Sequence, residues 1–110
     1  MLIMPNKLIR DKVTDIIYKS GKIPFTYILD NLNYIKELDR KLIEELEEYQ
    51  SSKTLEELAD IVEVIYAIVL AKGYSIEQLE KIRLEKLTRC GGFEKKIYLY
   101  KIENAEPNEK

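Results

Sequence analysis

The chain has no histidine, and in 110 residues it has one cysteine, Cys90. The first absence removes imidazole bases, His-based catalytic triads and His/Cys zinc sites from within the chain. The second rules out an internal disulfide, and Cys90 is read as a packing residue rather than a nucleophile. Proton transfer therefore falls to carboxylate, lysine, tyrosine, Cys90 or bound water. Also missing is any apolar run of the roughly 20 residues that a membrane span requires, and the start, residues 1–4, lacks the long apolar core of a secretory leader. A cytoplasmic protein with no membrane partner is expected. Neither sign of charge dominates: 18 Lys and Arg against 20 Asp and Glu leave a net charge of −2, which argues against a nucleic-acid module held by bulk positive charge. No repeat, low-complexity tract or linker interrupts the chain, and its length suits one domain.

Hydrophobic residues make up 45% of the sequence, enough for a core. Period and caps predict four helices, and hence an all-α bundle. The first runs from about Asn6, as N-cap, to Lys19, with Leu8, Ile9, Val13, Ile16 and Ile17 as its apolar stripe and Gly21 as its stop. The second, from about Asn31 to Tyr49, puts Ile35, Leu38, Leu42, Leu46 and Tyr49 on one face. Capping-box patterns at Thr54/Glu57 and Ser75/Gln78 open the third and fourth, which stop near Gly73 and before Gly91-Gly92. Residues 25–29 and 96–102 are rich in β-branched and aromatic side chains, and are read as two short strands that pair. Residues 1–103 are assigned to the helical domain and 104–110 to a flexible, polar C-terminal tail.

The third helix carries the strongest chemical signal. From Leu58 to Ala71 it is apolar on every side except at Asp60 and Glu63, the pattern of a buried helix. A carboxylate buried there needs a cationic partner, a proton or a metal. Asp60 has no Lys or Arg three or four residues away. The neighbouring second helix adds Glu44, Glu45, Glu47 and Glu48, and joining the two helices as antiparallel neighbours lets Glu45, Glu48, Glu57 and Asp60 converge. An all-oxygen cluster of this kind suits Mg²⁺, Mn²⁺ or Ca²⁺. The plainer readings are a solvated acidic face with Arg40–Glu44 and Lys41–Glu45 pairs, and a Glu57 that only completes its capping box.

Five blocks, NKLIRDKV (6–13), KLIEELEEYQ (41–50), EELADIVEVIYA (56–67), EKLTRCGGF (85–93) and IYLYKI (97–102), resemble in order a branch of the MazG-like all-α NTP pyrophosphohydrolases, the phosphoribosyl-ATP pyrophosphohydrolase-like branch. The motifs are EExxE, at Glu44, Glu45 and Glu48, and ExxD, at Glu57 and Asp60. The resemblance implies cleavage of a nucleoside triphosphate between the α and β phosphates, giving a monophosphate and pyrophosphate, often to remove non-canonical nucleotides. It implies Glu45, Glu48, Glu57 and Asp60 as Mg²⁺ ligands, with Mn²⁺ as a substitute, and Glu44 as a further ligand or the group that orients water. Lys7, Arg10 and Lys12, with Lys86 and Arg89, are the cations expected to hold the polyphosphate. The alternative is a non-catalytic nucleotide-binding or regulatory module, and a third reading is a structural helical partner. Association into a dimer, or a tetramer, is expected, because the all-round apolar third helix leaves surface that one small bundle does not cover.

Overall fold

Four helices make up the regular structure of the computed structural model, which describes residues 6–105: α1 (Val13–Lys19), α2 (Asn31–Ser52), α3 (Leu55–Ala71) and α4 (Ile76–Cys90). The chain divides into two units, one ending at Leu79 and the other beginning at Glu80. The fold is all-α, and no strand occurs among the described residues. None of the helices is long and apolar enough to cross a membrane.

Local chemistry sets the helix ends. Asp30 caps α2, its carboxylate accepting the Asn33 amide at 2.8 Å, and Thr54 caps α3 by accepting the Glu57 amide at 3.3 Å. Before α4 the box is reciprocal: Gln78 N–H donates to Ser75 Oγ at 3.1 Å, and Ser75 N–H donates to Gln78 Oε1 at 2.8 Å. Beyond α4, Gly91 takes φ +81°, a left-handed turn that glycine makes without strain.

α2 runs three residues past the predicted Tyr49, so that only Lys53 and Thr54 separate it from α3. Lys53 sits in the left-handed region (φ 58°), where its amide donates to the Tyr49 carbonyl at 2.8 Å. Its ammonium donates to Gln50 at 2.7 Å and lies 5.3 Å from the Tyr49 ring centre. So short a link folds α3 back along α2, and the two helices pack together. Their seam holds the buried apolar residues Leu38, Ile61 and Val64. Leu38, only 3% exposed, is the most buried of the three. Its replacement by alanine is expected to cost about 2–4 kcal/mol, read as a lower urea midpoint at unchanged slope.

Three expectations are corrected. The first helix starts at Val13, not Asn6: Asn6 has φ 62°, and Lys12, without a side-chain cap, precedes the first turn. Residues 7–10 stay out of the helix, and Lys7 and Arg10 from this segment reach acids on two different helices. The two candidate strands do not form. Residues 25–29 and 96–102 have no regular structure, with Phe25 93% exposed and Lys96 at φ 59°; β-propensity has value only where a neighbouring strand takes up the backbone hydrogen bonds. Lastly, α3 is not buried on all sides. Ile61 and Val64 face α2, while Leu58, Val62, Tyr66 and Leu70, four residues apart, form an exposed stripe, and Glu63 is exposed as well. Of the predicted C-terminal tail, Asn104 and Ala105 are exposed and without regular structure; the rest of it, and residues 1–4, lie outside the described residues.

Candidate metal centre

Antiparallel pairing of α2 and α3 turns two sequence motifs into one three-dimensional cluster. Glu45, Glu57 and Asp60 each offer a carboxylate oxygen, and these oxygens lie within 4.8 Å of one another. Glu44, Glu45 and Glu48 form a second such group, so Glu45 belongs to both. Glu45 is also the buried member, 6% exposed, whereas Glu44, Glu57 and Asp60 are half-buried and Glu48 is exposed.

The carboxylates destabilise one another. Burial, followed by the charge of Glu48, a hydrogen bond shared with Glu48 and the charge of Asp60, pushes Glu45 up to about 7, against a weaker opposing pull from Lys41. Glu57 is raised by burial and by the charges of Glu48 and Asp60. Burial works to raise Glu44 too, but the hydrogen bond from Lys7 and the charges of Lys41 and Lys7 outweigh it and hold this carboxyl below its ordinary value. Glu44 is thus the member kept ionised by its neighbours.

Three cations border the cluster. Lys7 Nζ lies 3.1 Å from Glu44 Oε1, and Arg10 Nη2 donates to Asp60 Oδ1 at 2.8 Å. Lys41, half-buried, lies 3.7 Å from Glu44 and 3.6 Å from Glu45. The partner that Asp60 lacks on its own helix is therefore found fifty residues earlier in the chain. Lys12 has no ion pair among the described residues, and it lines, with Arg10 and Lys41, a cavity of about 400 Å³. Tyr34, Leu38, Lys41 and Glu45, on one face of α2, line this cavity together with Leu8 and Ile9 from the segment before α1. The other two predicted phosphate ligands, Lys86 and Arg89, are exposed on α4 in the second unit.

Lys41 and Tyr34 were not singled out by sequence. Lys41 was legible only as an i,i+4 partner of Glu45; the spacing of Tyr34 at 4, 7 and 11 residues from Leu38, Lys41 and Glu45 was the available signal for the cavity wall.

The residues fit a hard divalent cation on two grounds. All donors are oxygens. In addition, with the cluster ionised and no proton shared between its carboxylates, Glu45 Oε2 and Glu57 Oε2 are shielded from solvent without a hydrogen-bond partner, a costly state for an acceptor that a cation would relieve. Glu57 is available because its capping box is half-made: its amide serves Thr54, while the Thr54 amide goes to Ser52 Oγ at 3.4 Å instead of to the Glu57 carboxylate.

No family model, curated protein or solved structure matches the chain.

Proposed function

We propose that the protein is a Mg²⁺-dependent nucleoside triphosphate pyrophosphohydrolase of MazG-like type that acts in nucleotide house-cleaning. The observation that carries this reading is the convergence of Glu45, Glu57 and Asp60 around two shielded, unpartnered carboxylate oxygens, bordered by Lys7, Arg10 and Lys41. Glu45, Glu48, Glu57 and Asp60 would hold the metal. When bound, it would lower the pKa of coordinated water and neutralise charge developing on the phosphate oxygens.

The chain's own groups have separate tasks. Glu44, held ionised by Lys7 and Lys41, is an acceptor able to orient a water molecule and take its proton. Arg10 and Lys12, which line the cavity, would supply donors to the polyphosphate. The water oxygen bonds to the α-phosphorus, the bridging bond from that phosphorus to oxygen breaks, and pyrophosphate departs with the electron pair. Tyr34, Leu38, Leu8 and Ile9 offer the nucleoside an apolar wall.

The test is release of pyrophosphate from canonical and modified NTPs and dNTPs, with Mg²⁺, with Mn²⁺ and with EDTA. Metal-dependent formation of monophosphate and pyrophosphate is the expected result. Tight nucleotide binding with no release from any member of the panel would favour the non-catalytic module instead.

Association of copies belongs to the same reading. The stripe Leu58, Val62, Tyr66 and Leu70 is the face of α3 that α2 leaves open, and a second copy of this chain would bury it across a two-fold axis. Light scattering after gel filtration is expected to give a dimer mass, with Val62→Glu shifting it to the monomer; a monomeric wild-type protein at 100 µM, a concentration of order ~10⁻⁴ M that exceeds the dissociation constant of a stable dimer, refutes this association.

A further inference from the structure

Of the cations that border the cluster, one occupies an acid that the metal would need. Arg10 is on Asp60 and Lys7 is on Glu44, and both reach the cluster from a segment outside the helices, with Arg10 57% exposed. Such a segment can swing without unwinding a helix. A surface ion pair of this kind is weak, and a divalent ion settling against the same carboxylate repels the guanidinium. The space available to the displaced group is the cavity that Arg10 already lines beside Lys12. At the same centre lies Glu45, more than nine-tenths buried with its Oε2 unpartnered, so the cluster keeps an unmet demand for a cation even with Arg10 and Lys7 in place.

We propose that Arg10 is an exchangeable counter-ion, which neutralises Asp60 in the metal-free protein and turns to the phosphate of a bound ligand when a divalent cation takes Asp60. The inference rests on the metal-centre reading above and adds the order of events: the cation and the phosphate-bearing ligand bind cooperatively, because the first frees the donor that the second requires.

The consequence is a pair of effects of opposite sign, which loss of a merely structural ion pair would not give. In Arg10→Gln the competitor is gone and the side chain still reaches the cluster. Binding of Mn²⁺ alone, followed by electron paramagnetic resonance of the free ion, is expected to tighten about two- to fivefold. Binding of an α,β-imido nucleoside triphosphate at saturating Mn²⁺, measured by calorimetry, is expected to weaken about tenfold. Lys36→Gln makes the same change of net charge at an exposed position on α2, and is expected to change neither value. Equal or weaker Mn²⁺ binding in Arg10→Gln, with the wild type binding normally, overturns the exchange and leaves the metal centre standing. Tighter Mn²⁺ binding with unchanged binding of the analogue also overturns it, since Arg10 would then serve Asp60 alone. A wild-type protein that binds no Mn²⁺ overturns the metal centre itself, and the exchange with it.

Discussion

Replacing Asp60 by asparagine is expected to lower kcat/KM for pyrophosphate release by at least about 10²- to 10³-fold, the cost typical of removing one preorganised electrostatic group from a site of this kind. The protein should remain folded. Asp60 is half-buried and its pair with Arg10 is open to solvent, so loss of that pair costs well under about 1 kcal/mol; far-UV circular dichroism should not change. Glu48→Gln should behave in the same way, because Glu48 is exposed and bears no packing load. Glu47, exposed on the same helix but outside both carboxylate groups, supplies the control: Glu47→Gln should retain full turnover. Wild-type rates in both Asp60→Asn and Glu48→Gln would falsify the pyrophosphohydrolase reading.

Glu45→Gln is expected to stabilise the metal-free protein at pH 7.5 and to abolish stabilisation by metal. Glu45 is buried among acids, and its folded-state pKa, about 7, lies above the ordinary value of 4.5. The folded protein therefore holds a proton that the unfolded chain gives up first, so this group's contribution is fully present below about pH 4.5 and is lost as pH rises through about 7. Partial solvent screening reduces the effect to roughly 1–2 kcal/mol, on the order of 5–15 °C in Tm for a chain of this size. Thermal melts in EDTA from pH 4.5 to 8 should accordingly fall for the wild type across that window, and fall less for Glu45→Gln. With Mg²⁺ at a hundred times its Kd, the wild type should gain about 2.7 kcal/mol and the variant almost nothing. Parallel melting curves for the two proteins in EDTA would mean that Glu45 is not strained by its neighbours.

Much of the helical framework was legible in the sequence because it is local. Capping residues and glycines act within four positions of themselves, and Thr54, Ser75 and Gly91 mark the ends of α3 and α4 to within two residues. The acidic positions were legible for the same reason, since their spacing along each helix sets which of them share a face. What escaped is non-local. The segment before α1 has a helical period, yet its lysine and arginine are drawn to acids on α2 and α3, and no window of the sequence contains both ends of the Arg10–Asp60 contact. The aromatic-rich segments have strand composition but no partner for their backbone. Leu58 to Ala71 is uniformly apolar, and a uniform pattern cannot say which side faces α2 and which is left open.

The two-residue link between α2 and α3 has a consequence for how this chain can vary. It holds the EExxE and ExxD segments at a fixed rotational phase, and each residue added within either helix between them turns the following carboxylates by about 100°. Substitutions at Lys53 and Thr54 that respect the left-handed turn and the cap can accumulate freely, and glycine at position 53 would ease the turn. Insertions and deletions between Glu48 and Glu57 cannot, except in whole helical turns or as a bulged loop. Related chains that share this centre should therefore diverge widely in the composition of the stretch while its length stays quantised.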